Sequence, residues 1–246
     1  MKIALASLGF VNNDILHNQR VILNSIAQYA SCADMLLFGE AFLQGFYAPV
    51  FDYEQDQHIA LVLHDPLIQE IRSAAREHNI AVSFGFIEKD GDAIYSSQLT
   101  LGKDGGILDH SRRVSPGWKE LFADDHYCEG SDFHTFSFCG KRLSVALCGD
   151  LWHDEHVQSM HALSPDAVLW PVYTDFHPDA WNTTLKHEYA EQAQRFCKDV
   201  LYVNPYCLDK QDDPDIAKGG SAHFCSGGIA SEAPAGQESI LLVELA

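Results

Sequence analysis

The sequence predicts an α/β layered sandwich, with sheets covered by helices on their outer faces, and three observations lead there. Short apolar runs alternate with amphipathic helical stretches at the start of the chain and again after Leu147. Between those regions strand-like runs follow one another with no long helix between them, so parallel βαβ units are mixed with hairpins. Finally, 246 residues with 46% apolar content can bury one substantial core, which makes residues 1–246 a single domain in this reading.

In chain order, MKIALASLGF reads as a strand. A helix is expected over Ile15 to Tyr29, where Ile15, Val21, Ile22 and Ile26 recur at helical spacing, followed by the strand Met35 to Phe38. A second amphipathic helix, Pro66 to His78, leads into the run Ile80 to Phe86. The turn Asp90-Gly91-Asp92 separates that run from the alternating stretch Tyr95 to Leu101, and Gly105-Gly106 closes the unit. Leu143 to Leu147 is a buried strand that ends at Cys148. A polar helix near Glu155 to His161, the strand Ala167 to Trp170, a longer helix from Trp181 to Lys198 and the strand Val200 to Val203 follow. Leu208 to Gly220 reads as a loop, Gly227-Gly228 as a turn and Ser239 to Leu245 as a closing strand.

Charge narrows the classes of partner. With 35 acidic against 16 basic side chains the formal charge is −19, which repels a phosphate backbone or an anionic lipid surface. Nucleic acid and membrane are therefore not expected partners. No apolar run approaches the roughly 20 residues needed to span a bilayer, and the first residues lack the marks of a secretory signal. Seven scattered cysteines, an odd number, fit reduced thiols, so a cytoplasmic protein is expected.

Three strand-end positions carry candidate chemistry. Cys148, in Leu147-Cys148-Gly149-Asp150-Leu151-Trp152, follows an apolar strand, where a sharp exit would lift a thiol out of the core; the plain alternative is a buried structural cysteine. Glu40 also follows an apolar strand, and a carboxylate at the rim of a core is suited to take a proton, although a strand-terminal Glu is equally read as a solvated end. The stretch Asp109 to Glu120 places two cations and then a carboxylate on what reads as a loop, where a guanidinium is either an oxyanion-stabilising group or surface charge. Trp152, Trp170 and Tyr173 follow strand ends, as pocket walls or as core.

The order of these segments resembles the nitrilase superfamily of carbon-nitrogen hydrolases across nearly the whole chain. Phe38 to Phe46 looks like its general-base block, with Gly39 where Pro is usual, and Val145 to Trp152 looks like its nucleophile block. Trp181 to Asn204 and Gly219-Gly220-Ser221-Ala222 are similar to two later family segments. The resemblance implies a four-layer α-β-β-α sandwich and a Glu-Lys-Cys triad. Aligned on Asp109-His110-Ser111-Arg112, that triad becomes Glu40, Arg112 and Cys148, with Glu120 orienting the substrate; Arg113 serves if the register shifts by one, and Lys119 only if the loop folds unusually.

On this resemblance Cys148 would attack an amide-like carbon with Glu40 as base and form a thioester that water hydrolyses, with Arg112 and a backbone N–H near Gly149 facing the oxyanion. Tyr47, Gly149, Trp152, Trp170 and Tyr173 are the expected substrate contacts. A small molecule is the expected partner, in a homodimer or higher homo-oligomer, without cofactor. No metal is expected, because His153-Asp154-Glu155-His156 lacks the spacing of a helical zinc motif. A second reading makes the protein a catalytically silent binding module of the same fold, because an arginine that cannot release its proton stands where lysine is usual.

Overall fold

The computed structural model describes residues 1–209, 213–214 and 216–246. The first half of the chain builds one sheet. Strand β1 (Lys2–Ser7) and the short β2 (Gly9–Phe10) precede helix α1 (Ile15–Tyr29), whose first turn is capped by the Asp14 carboxylate accepting from His17 N at 2.9 Å. After β3 (Met35–Phe38) come the short α2 (Tyr53–Asp56) and α3 (Pro66–His78). The last of these begins with Pro66 behind an Asp65 cap and stops where Asn79 turns left-handed at φ 53°. Strands β4 (Ala81–Asp90), β5 (Ala93–Leu101) and β6 (Ile107–Arg112) then pair in antiparallel succession.

The second half builds the other sheet from β7 (Phe136–Phe138), β8 (Lys141–Val145), α4 (Asp154–Leu163), β9 (Ala167–Pro171), α5 (Pro178–Ala180), α6 (Lys186–Gln194) and β10 (Asp199–Val203). It is completed by β12 (Ser221–Cys225) and β13 (Gly228–Ala233), while the short β11 (Tyr206–Cys207) pairs with β2. Strand β14 (Ser239–Glu244) returns to lie beside β1. The strand orders are β14-β1-β3-β4-β5-β6 and β13-β12-β10-β9-β8-β7, each with a parallel centre (β1, β3, β4 and β8, β9, β10) and antiparallel edges.

Strand alternation assigns the layers. Ile3, Leu5, Leu37, Leu169, Leu201 and Val203 meet between the two sheets. Their neighbours Ala4, Leu36 and Phe38 pack outward under α1 and α3, and Val168, Trp170 and Tyr202 pack outward under α4 and α6. A central strand apolar on both faces is the mark of a sheet covered on both sides. The result is the four-layer α-β-β-α sandwich.

Two expectations need correction. The helix expected from Trp181 to Lys198 is interrupted: Trp181–Leu185 is a π-helical turn, and regular helix continues only to Gln194. The turn lets buried Trp181 stack on Tyr202 at 4.5 Å while the Asn182 amide bonds both N and O of Ala235. The segment after Gly106 is not a loop from its start, since Ile107–Arg112 is the edge strand β6. Its alternation is hidden because the inward positions, Asp109 and Ser111, are polar yet buried. Within the loop expected over Leu208 to Gly220, residues 210–212 and 215 lie outside the described residues.

Candidate active site

Cys148 heads the tight turn that ends β8. Its φ is +41°, a left-handed conformation that a residue with a Cβ adopts only when its surroundings enforce it. The enforcement is visible. Buried Asp150 accepts from Leu147 N at 2.8 Å within the turn, and Trp170 Nε1 donates to the Cys148 carbonyl at 2.9 Å. The half-buried thiol is thereby aimed at the Tyr173 carbonyl, 3.4 Å away.

Glu40 leaves the end of β3, held by Glu40 N donating to Val172 O at 3.2 Å in the other sheet. The chain next crosses β4 at Gly85, where a Cβ would lie 2.3 Å from Ala41 N and 2.6 Å from Gly39 O. Only glycine permits that approach. The Glu40 carboxylate is fully buried; Oε1 accepts from Ser96 Oγ at 2.9 Å and from Arg113 Nη1 at 3.0 Å. Oε2 has no hydrogen-bond donor among the described residues, and the carboxylate stands against the Cys148 thiol.

The cation at this site is Arg113. Strand β6 alternates, so Ser111 and Arg113 face inward while His110 and Arg112 face outward. Arg113 N bonds Ser96 O at 2.8 Å, which continues the pairing one residue beyond the strand and sets the guanidinium beside Glu40. Arg113 Nε also donates to Ser115 Oγ at 3.1 Å. Asp150 fastens this segment to the Cys148 turn by accepting from Val114 N at 3.0 Å and Ser115 N at 2.7 Å. Gly149 completes the fit, because a Cβ there would sit 2.8 Å from Arg113 Nη2.

Arg112, expected in the triad, is directed to the opposite face of the sheet. It forms a bidentate pair with Glu88, at 3.0 and 2.7 Å, reaches Asp90 at 2.7 Å and lies over the Tyr95 ring at 3.8 Å. A 390 Å³ cavity opens beside it, lined by Tyr95, His110 and Glu129 among others, but Cys148 does not line that cavity. Lys119 is committed elsewhere, bonded to the Tyr127 carbonyl and paired with Glu129 at 2.9 Å. Glu120 is exposed, and its carboxylate has no hydrogen-bond or ion-pair partner among the described residues. Reading the region as a loop removed the alternation that tells Arg113 from Arg112.

The expected substrate contacts divide similarly. Tyr173 brings its carbonyl to the thiol while its ring stacks on Phe46 at 4.5 Å and meets Tyr47 edge-on at 5.4 Å. Trp170 is fully buried on the helix-covered face and acts on the site through its bond to the Cys148 carbonyl. Trp152 is 43% exposed and packs on Tyr189. Ser96, inside β5, and Ser115 and Asn204, beyond β6 and β10, are site residues that no sequence pattern marks, because a single polar residue has no period. Asn204 bridges Thr174 N and O, at 3.0 and 2.9 Å, and so fixes the segment that presents the Tyr173 carbonyl.

Burial pushes the Cys148 thiol up to about 12, the Glu40 charge pushes the same way, and Arg113 opposes both. Burial also works against the Arg113 charge, but Glu40, Cys148 and Asp150 outweigh it and hold the guanidinium above its ordinary value. The thiol thus stands beside the Glu40–Arg113 pair, whose two members act on it in opposite directions.

A carbon-nitrogen hydrolase family model matches residues 2–245. An (R)-stereoselective amidase from Pseudomonas sp. is 28% identical over 221 residues, covering 90% of this chain and 76% of the relative. A bromoxynil-specific nitrilase from Klebsiella pneumoniae subsp. ozaenae is 30% identical over 167 residues, covering 63% of this chain and 44% of the relative. The chain thus spans less than half the length of that nitrilase. Among solved structures, the amidase from Nesterenkonia sp. AN1 superposes with a TM-score of 0.81 at 21% identity, covering 100% of this chain and 93% of that one, a likeness of fold. That structure shows Michael addition of acrylamide at the neighbour's own active-site cysteine.

Proposed function

Because the chain belongs to the carbon-nitrogen hydrolase family, we propose that it hydrolyses small amide or N-carbamoyl substrates through a thioester on Cys148. The observation that carries this reading is the left-handed Cys148, its thiol set against Glu40 with Arg113 alongside. Glu40 takes the thiol proton as sulfur attacks the carbonyl carbon. The carbonyl oxygen becomes an oxyanion facing Arg113 and the backbone N–H groups of the Cys148 turn. Glu40 returns the proton to the nitrogen as the carbon-nitrogen bond breaks, and ammonia or an amine leaves. Water, deprotonated by the same carboxylate, cleaves the thioester to release the acid and restore the thiol. Arg113 supplies charge and directed N–H groups, and Glu40 carries every proton.

Phe46, Tyr47 and Tyr173 form an aromatic cluster, and because the Tyr173 carbonyl meets the Cys148 thiol this reading has the cluster favour substrates with an apolar flank. A homodimer or higher homo-oligomer in the cytoplasm, using no cofactor, belongs to this reading. The seven free cysteines support the cytoplasmic part of this reading. No helix among the described residues is long and apolar enough to cross a membrane.

Ammonia release from a panel of small amides, N-carbamoyl compounds and nitriles tests the proposal. Turnover that vanishes in Cys148→Ala is the expected result. Turnover that survives it removes the thioester route. The silent-binder reading is favoured by one observation, the Arg113–Glu40 pair where a smaller ammonium is usual; a wild type without turnover that gains it in Arg113→Lys would establish that reading instead.

A further inference from the structure

Strands β10 and β12 pair antiparallel with Asp199 opposite Cys225 and Leu201 opposite His223. Leu201 lies in the layer between the sheets, so Asp199, His223 and Cys225 share that inward face. They stand where β10 begins, whereas Cys148 follows the end of β8; β8, β9 and β10 run parallel, so the cluster occupies the end of the sandwich opposite the nucleophile. His223 is buried, Asp199 and Cys225 are half-buried, and one donor atom from each lies within 4.8 Å of the other two. His223 Nε2 and Asp199 Oδ1 are already 2.8 Å apart. The group borders a 400 Å³ cavity shared with Asp166, Lys198 and Glu244.

We propose that Asp199, His223 and Cys225 form a binding site for a borderline-soft divalent cation of the zinc type. One carboxylate oxygen, one imidazole nitrogen and one thiolate are three donors of the kind zinc selects, with a fourth tetrahedral position open to water from the cavity. Bonds of about 2.0–2.3 Å place neighbouring tetrahedral donors about 3.3–3.7 Å apart. The cluster therefore needs the His223–Asp199 contact of 2.8 Å to open by about half an ångström and the sulfur, within 4.8 Å of the other donors, to approach by up to about an ångström. On binding, His223 ligates as neutral imidazole through Nε2 with its ring proton on Nδ1, and the thiol proton of Cys225 is released to solvent. Two lysines, Lys141 and Lys198, line the cavity, and Asp166 and Glu244 offset them. Cross-strand pairing holds all three donors on rigid backbone, so the site clamps β10 to β12.

Titration of the reduced full-length chain with cobalt(II), a spectroscopic substitute for zinc, tests this. The expected result is a thiolate-to-cobalt charge-transfer band that saturates at one cobalt per chain and is discharged by zinc. Affinity should fall roughly tenfold or more in both Cys225→Ser and His223→Ala. Far-ultraviolet circular dichroism checks that the near-isosteric Cys225→Ser remains folded. Zinc should raise the Tm of the wild type and leave that of Cys225→Ser unchanged. A wild type with no such band, a band unchanged in Cys225→Ser, or one lost only in Cys148→Ala each overturns the proposal.

Discussion

Arg113 Nη1 lies 3.0 Å from Glu40 Oε1, with the two side chains 5% and 0% exposed. Desolvating such a pair costs several kcal/mol per ion, so it persists only where other contacts complete it. Here Ser96 and Ser115 do so, one on each partner. Arg113→Ala leaves a buried carboxylate without its cation. It should lower kcat by roughly 10²–10³-fold and cost about 3–5 kcal/mol of stability. Arg112→Ala, altering the opposite face, should leave kcat within about threefold while costing stability. Steady-state kinetics of the two variants separate the positions; equal losses would return Arg112 to the site.

Gly149→Ala places a methyl group 2.8 Å from Arg113 Nη2. The guanidinium must shift by a few tenths of an ångström or more, away from the oxyanion it would serve under the proposed mechanism. Activity should fall by about tenfold to a hundredfold with little change in Tm, because a small misplacement is costly in a preorganised site. Kinetics beside a thermal melt check this; a Tm loss that accounts for the activity loss would make Gly149 a folding residue only.

Asp150 accepts from Leu147, Val114 and Ser115 N–H groups and so binds the Cys148 turn to the arginine segment. Asp150→Asn removes the negative charge and turns an acceptor oxygen into a donor facing N–H groups. The expected cost is about 2–4 kcal/mol in denaturant unfolding, together with reduced alkylation of Cys148 by iodoacetamide as the turn relaxes. Alkylation at the wild-type rate would show that Trp170 alone holds the turn.

Glu88 gives an acid-side prediction. Burial alone would raise its pKa, but His110, Arg112 and Ser97 overcome that and hold the carboxylate down at about 2. A carboxylate depressed in the folded state stabilises fully above the ordinary value of 4.5 and loses that contribution as pH falls through its folded value. The contribution is about 3 kcal/mol. The stability gap between wild type and Glu88→Gln should therefore shrink between about pH 4.5 and pH 2. A gap constant over that window would assign it to packing.

What could be read in the sequence follows from where the physics is local. The spacing of Ile15, Val21, Ile22 and Ile26 gives the face of α1, and Pro66 and Asn79 bound α3, because capping and periodicity act over a few residues. Cys148 and Glu40 could be singled out because each ends an apolar run. Edge strands were harder: β6 buries Asp109 and Ser111, so polarity masks its period. The Asp199, His223 and Cys225 cluster has no helical ligand spacing because its donors converge across a strand pair.

The sequence by itself determined the layered α/β architecture, the order of its central elements and the candidate nucleophile and base, since each depends on a contiguous run of residues. Only the tertiary structure decided which arginine meets Glu40. Arg112 and Arg113 are adjacent and chemically identical, and their fates diverge because a strand sends successive side chains to opposite faces. The pairing of Arg113 N with Ser96 O fixes which face is which. It also decided that Trp170 supports the Cys148 turn from the core and that Gly85 and Gly149 leave room for Glu40 and Arg113, because close approach between distant segments has no signature in either segment alone.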